Sequence, residues 1–319
     1  MDVLMIGRED PAGMMIAFCN AINRYSEHTA RCVLLDTPHS SLYDVDIREC
    51  DCMVDDDYSE IEHLLTRSNI IHFHNLIDEN VAVGPLCVRD YVHGKAFLHH
   101  HHGHHDLFIN AAMYSERYRR FHRKVVVSTP DLLKVLPDAT WQPNLVPIYD
   151  VHFLPRMDHL GSNSCVKLVQ APTRKWQKQT ASFRKVTEAL KREFSFIETH
   201  ILVDLPQNDC LRFKRNCHIS FDHMNGWFGI ASLESLSHGL PTLAGLDDWN
   251  IECIRKFTGT TENPWILTRS EEELEEKLRL LIQDPAVRIN VGKSSRSFME
   301  NYWTEQHALG VLLETYRSL

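Results

Sequence analysis

Three stretches of this 319-residue chain carry residue types and spacings that could do chemistry. The first is a histidine run: six of the chain's 20 histidines fall within residues 99–105, broken only by Gly103. Imidazole donates, accepts and ligates metals near neutral pH. On a strand, however, His100 and His102 take one side while His99 and His101 take the other, so consecutive rings cannot converge on one ion. No HExxH helix accompanies them. The expectation is therefore no metal site, with most of the run packed in a core.

The second stretch is Asp222-His-Met-Asn-Gly226-Trp-Phe-Gly229-Ile-Ala-Ser-Leu-Glu234-Ser-Leu-Ser-His-Gly239-Leu-Pro241. Its pattern is a strand end, a glycine-bearing loop, a helix start at Gly229 and a carboxylate on the second turn of that helix. Amides at a helix amino terminus favour an anion or a polar ligand, and glycine lets the ligand approach the backbone closely. Glu234 then stands where it could accept hydrogen bonds from hydroxyls. An ordinary strand, loop and helix with a surface glutamate would show the same pattern. The third stretch, Ala171-Pro172-Thr173-Arg174-Lys175-Trp176-Gln177-Lys178-Gln179-Thr180, concentrates cations ahead of a helix in a chain of net charge -9. Fixed cations there would suit an anionic ligand, although basic residues ahead of a helix are also common on surfaces.

Together these stretches resemble the donor site of GT-B glycosyltransferases, in particular glycosyltransferase family 4. Glu234 matches the motif glutamate that holds the nucleotide ribose, and His238-Gly239-Leu240-Pro241 matches the turn after it. The motif's first glutamate falls on Gly226, a departure. The Gly-Trp-Phe-Gly sequence resembles a variant branch in which an earlier Asp, here Asp222, serves that neighbourhood. The resemblance implies sugar contacts from the backbone amides of Phe228, Gly229 and Ile230, and diphosphate contacts from Lys178 with Arg174 or Lys175. Gln179 stands where the family has Gly. Gly13, in the loop of residues 7–13, matches the glycine-containing first loop near the donor phosphates, and His102-Gly103 matches a pair that faces the sugar or acceptor. The implied set is catalytic His102, Asp222 and Lys178, with donor contacts from Gly13, Arg174, Lys175, Lys178, Phe228, Gly229, Ile230 and Glu234.

The elements that would position these residues are short apolar runs alternating with helix-period segments, the signature of parallel sheets with crossover helices. Residues 3–6, 32–35, 70–73, 96–101 and 125–128 read as strands of a first series, with helices at 14–25, 58–68, 77–92 and 110–122. Residues 137–164 hold four prolines and read as a connection. A second series follows, with strands at 166–170, 197–203, 217–221 and 241–244. Ser270 and Glu273 form a capping box, and Asp284-Pro285 opens another helix. Leu309, Leu312, Leu313 and Tyr316 make the C-terminus an amphipathic helix. The fold expected is α/β of GT-B architecture, two Rossmann-like domains facing each other across a cleft. Their ranges are 1–160 (acceptor side) and 161–300 (donor side), with 301–319 a helix packing back on the first.

The function implied is a retaining, metal-independent hexosyltransferase. It would move a sugar from a UDP- or GDP-linked donor, with no other cofactor, to a hydroxyl of a cell-surface glycan or lipid-linked acceptor. A GT-B-like binding protein without transfer, an epimerase and a histidine-based metal enzyme stand as alternatives. The acidic balance disfavours nucleic acid as a partner. Nine cysteines without a CxxC pair argue for a reducing cytoplasm. Residues 114–124 carry Tyr114, Tyr118 and Phe121 on one stripe and Arg119, Arg120 and Arg123 opposite, a pattern that fits either peripheral contact with anionic lipid or a solvated face.

Overall fold

A computed structural model describes residues 1–8, 10, 12–35, 51–53, 58–172 and 178–319, with backbone only at 51–53. Arg174 and Lys175 lie outside the described residues. The chain forms two compact units, Met1–Leu145 with Glu305–Leu319, and Val146–Thr304.

The first unit is built on a seven-stranded parallel sheet. Its strands are β1 (Asp2–Gly7), β2 (Thr29–Leu34), β3 (Asp51–Met53), β4 (Ile70–His74), β7 (Ala96–His101), β8 (Lys124–Val127) and β9 (Thr140–Trp141), in the order β3-β2-β1-β4-β7-β8-β9. The short pair β5 (Ala82–Val83) and β6 (Leu86–Cys87) forms an antiparallel hairpin. Helices α1 (Met14–Tyr25), α2 (Tyr58–Arg67), α3 (His105–Ile109) and α4 (Ala111–Arg120) lie between strands. The helix expected over 77–92 does not form. Gly84, at φ +58°, turns the chain into the β5–β6 hairpin instead, and Val83 and Val88 pack into the core beside Phe73.

The second unit carries a five-stranded parallel sheet of β10 (Val166–Gln170), β11 (Ile197–Ile201), β12 (Ile219–Phe221), β13 (Thr242–Ala244) and β14 (Trp265–Leu267), ordered β11-β10-β12-β13-β14. Helices α5 (Thr180–Glu193), α6 (Gln207–Lys214), α7 (Ile230–Ser237), α8 (Asp248–Thr258), α9 (Glu271–Gln283) and α10 (Pro285–Tyr302) complete it. Phe183, Val186 and Leu190 of α5 pack with Leu274, Leu278 and Leu281 of α9 over one core. The apolar spacing read from the sequence is the spacing that packs here.

Residues 146–160 belong to this second unit rather than to the N-terminal side. Two buried arginines of α10 hold them: Arg296 donates to the carbonyls of Phe153 and Ile148 at 3.1 and 3.0 Å, and Arg288 donates to that of Leu160 at 3.0 Å. The last helix, α11 (Glu305–Arg317), belongs to the first unit, where it buries Leu309, Leu312 and Tyr316 and packs on α1. Tyr25 of α1 donates to Glu305 at 3.1 Å.

Candidate functional site

In an open parallel sheet, ligands bind beyond the carboxyl ends of the strands where the strand order reverses. In the second unit that point lies between β10 and β12. There Gln170, at the end of β10, donates from Nε2 to the carbonyls of Lys178 and Asp222 at 2.7 and 3.0 Å, tying the two loops together. Lys178 makes an ion pair with Asp222 and stands 5.0 Å from the Trp227 ring centroid, a cation–π contact. Asp222 is buried and accepts from the backbone N–H of Gly229 at 2.7 Å and the Ser232 hydroxyl at 2.6 Å. Burial alone would raise its pKa, but His223, Lys178 and the Ser232 hydrogen bond hold the carboxyl below its usual range. A Cβ at Gly229 would come 2.6 Å from Lys178 Nζ, so this glycine makes room for the cation.

This arrangement changes the expected roles. The Gly229 amide donates to Asp222, so it is spent inside the protein rather than offered to a sugar. Asp222 fastens the Gly229 N–H and the Ser232 hydroxyl at the start of α7 and holds Lys178, which makes it a positioning residue in this state. Phe228 is fully buried against Trp265 and Trp303, leaving only its backbone for a ligand, and Ile230 begins α7. Gln179 sits at φ +45°, a conformation that favours glycine, and its side chain accepts from the Met224 N–H at 2.9 Å and donates to Asn225. The side chain thus fastens the 222–226 loop where glycine could not. Gly226 is at φ +92°, so a glutamate in its place would be strained whatever the space.

Glu234 is nearly buried, and its Oε2 accepts from Lys214 Nζ at 2.8 Å; the same ammonium donates to the Ala231 carbonyl at 2.8 Å. His238 is buried with its Nε2 2.8 Å from the His152 carbonyl, and burial pushes its pKa down to about 3. Gly239, at φ +73°, ends the α7 turn where a Cβ would meet Met157 Sδ at 2.6 Å.

In the first unit the strand order reverses between β1 and β4. Beyond β1, Gly13 is left-handed at φ 64° as the N-cap of α1, and buried Asp10 accepts from the N–H groups of Met14 and Ile16 at 2.7 and 3.2 Å. Burial raises the Asp10 carboxyl to about 6, the backbone donors opposing it. A pKa raised on folding means a stabilising contribution that is full below about 3.8 and lost as pH climbs through about 6. By linkage this amounts to about 3 kcal/mol. The Tm of Asp10→Asn minus that of the wild type should therefore rise between pH 4 and pH 7.5. A difference that stays flat across this range would contradict the burial argument.

Over His99 to His101 the histidine run follows the expected alternation and is buried on both faces, whereas His104 and His105 are exposed. His99 and His101 pack with Tyr118 of α4, and His101 Nε2 lies 2.8 Å from its hydroxyl. His100 stacks beside His72 and His74 of the neighbouring strand β4. Half-buried His102 has its Nε2 2.9 Å from His74 Nδ1, and burial pushes its pKa down to about 4.

No family model matches the sequence, and no curated protein matches it either. Solved structures do match over the whole chain. HepE from Anabaena, in complex with UDP and glucose, superposes with TM-score 0.67 at 10% identity, covering 100% of both chains. Sucrose-phosphate synthase from Thermosynechococcus elongatus gives 0.63 at 12%, covering 100% of this chain and 98% of that one. An α-glucosyltransferase in complex with UDP-glucose and DNA gives 0.63 at 11%, covering 99% and 98%. The fold is GT-B. The GT-B sheets put Gly13 at the first reversal point and Lys178, Asp222 and the start of α7 at the second.

Sequence reasoning missed Lys214, Trp227 and Ser232, which hold Glu234, Lys178 and Asp222. It also missed the partners of the histidine run on β4. The alternation His72-Phe73-His74 was a visible signal, since a second strand with histidines two apart presents both on one face.

Proposed function

We propose that this chain is a nucleotide-sugar-dependent glycosyltransferase of the retaining type, whose donor site lies at the β10–β12 reversal point. The observation that carries this reading is Lys178, held by Asp222 against the amino terminus of α7 with Glu234 one turn further along the helix. A cation and a carboxylate so spaced suit the diphosphate and ribose of one nucleotide. Lys178, with Arg174 or Lys175, neutralises the charge that develops on the departing diphosphate, so the transfer step needs no metal. Glu234 receives the ribose hydroxyls. The amides of Phe228 and Ile230, with Asp222 behind them, position the sugar. Retention follows if the acceptor attacks on the face the diphosphate leaves and the departing phosphate oxygen takes the acceptor proton.

His102 supplies a further donor. With His74 Nδ1–H donating to His102 Nε2, the neutral His102 ring carries its own proton on Nδ1, where it can bond a sugar or acceptor oxygen. The acceptor in this reading is a hydroxyl of a glycan or lipid-linked glycan, at the cytoplasmic face of a membrane. Among the described residues no helix is long and apolar enough to cross a membrane. Peripheral contact through 114–124 would fall to Arg120, Lys124 and exposed Phe121. Tyr114 and Tyr118 are buried, and Arg117, Arg119 and Arg123 are paired with Asp78, Glu116 with Asp138, and Glu79.

UDP comes first among the bases to test, because structural neighbours hold UDP or UDP-glucose. A thermal-shift series of UDP, GDP and their sugars should show one base raising Tm, by an amount that grows with ligand concentration. Release of the free diphosphate should then require an acceptor. Release without any acceptor would point to hydrolysis, conversion of the donor to its epimer with no net release would point to epimerisation, and no shift with any nucleotide would overturn the reading.

A further inference from the structure

The parallel register pairs His74 with His100, so His72, His74, His100 and His102 share one face of the first sheet. The rings are close: His72 to His74 is 4.5 Å between centroids, His74 to His100 is 5.0 Å and His72 to His100 is 5.4 Å. His72, His74 and His100 are 1% exposed or less. Inside this cluster four ring nitrogens have no hydrogen-bond partner: Nε2 of His72, Nε2 of His74, and both nitrogens of His100. A buried polar atom left unsatisfied costs roughly 1–3 kcal/mol, so four on one face require an explanation.

The partners that do exist complete the pattern. His72 Nδ1 lies 2.7 Å from the Tyr316 hydroxyl and His74 Nδ1 lies 2.9 Å from His102 Nε2. In metal centres a ligating imidazole commonly gives its remaining N–H to an outer partner, which fixes the tautomer and aims the free nitrogen. Both histidines of β4 match that arrangement in distance, with Nδ1 engaged and Nε2 open. One ligand atom from each of His72, His74 and His100 lies within 4.8 Å of the others.

We propose that His72 Nε2, His74 Nε2 and one ring nitrogen of His100 bind a divalent transition-metal ion of the zinc class. Three neutral nitrogens with no carboxylate suit zinc and its neighbours and are poor ligands for magnesium or calcium. Bonds of about 2.0–2.1 Å require the nitrogens to draw inward by roughly an ångström and the stacked rings, His72 and His100 only 12° from parallel, to rotate so that their in-plane lone pairs converge, and a water or hydroxide fills the fourth position. Burial and the neighbouring rings hold all three imidazoles in the neutral, ligating form. The ion would clamp β4 to β7 and, through Tyr316, order α11 against them. The site belongs wholly to the first unit, and the proposed transfer step does not pass through it.

The test uses the full chain, purified without a histidine tag, stripped with chelator, equilibrated with Zn(II) and desalted. One zinc per chain is expected, together with a raised Tm. Cobalt(II) in its place should give the intense visible bands of a four-coordinate nitrogen site. His74→Gln and His100→Gln should each bind at least tenfold more weakly, while His105→Gln, at an exposed position, should retain the ion. Zinc content unchanged in the first two variants, or lost in His105→Gln, would overturn the proposal. The wild-type cobalt spectrum decides even if a variant fails to fold, since only the weak bands of hydrated cobalt would mean that water satisfies these nitrogens.

Discussion

Lys178→Ala should lower kcat/KM by on the order of 10²–10³-fold, the usual loss when one preorganised group facing developing negative charge is removed. The same substitution destabilises the fold. Asp222 is only 3% exposed, and without its ammonium it keeps the Gly229 amide and the Ser232 hydroxyl but loses its nearest cation. Breaking one side of a buried pair costs about 3–5 kcal/mol. The two effects separate in the double variant Lys178→Met/Asp222→Asn. The asparagine still accepts from Gly229 and carries no charge, so most of the Tm returns while transfer stays lost. Recovery of both would mean that Lys178 acts only on stability. A full loss of Tm in the double variant would mean that the charge pair is not what holds the 222–229 loop.

Lys214→Met destabilises by a similar amount, about 3–5 kcal/mol, because it strands Glu234 in the interior of the second unit. Lys214→Met/Glu234→Leu replaces the pair with apolar atoms, and such exchanges are often close to neutral. Its denaturant midpoint should stand near the wild type's. The nucleotide response should nevertheless vanish if Glu234 is the carboxylate that receives the ribose, as proposed. Glu234→Gln, which keeps a hydrogen bond to Lys214 but leaves that buried ammonium without a counter-charge, should lower the denaturant midpoint less than Lys214→Met does and bind the nucleotide roughly tenfold more weakly, because hydrogen bonds to charged groups contribute about 1.5–3 kcal/mol. Unchanged nucleotide affinity in Glu234→Gln would remove this residue from the site.

These partners mark where sequence reasoning stopped. Periodicity states which residues of an element are buried, and on that ground the strand over 96–101, α5 and α11 were legible. Local capping was legible too: Ser270 accepts from the Glu273 N–H at 3.2 Å, and Asp284 accepts from Ala286 and Val287 at 2.8 and 3.1 Å. The hairpin at 82–87 was not, because its apolar residues also fit a helix and only the backbone at Gly84 decides between them.

The candidate site was legible as a set of positions along the chain and not as a set of contacts. Lys178, Asp222 and Glu234 stand where the sequence put them along the chain. That Asp222 spends its oxygens on Gly229, Ser232 and Lys178 depends on the closure of two loops across β10 and β12, which no single segment encodes. Nor does a strand's own alternation reveal its neighbour. The histidines of β7 looked unable to converge because His72 and His74, some 28 residues away, were missing from the picture.

The central claim is that a nucleotide diphosphate binds at Lys178 and Glu234. Calorimetric titration of UDP and GDP into the wild type and into Lys178→Met/Asp222→Asn tests it most directly. One saturable site for one of the two nucleotides, weakened at least tenfold in the double variant, is the predicted result. Equal binding by the two proteins, or no binding of either nucleotide to the folded wild type, would contradict it.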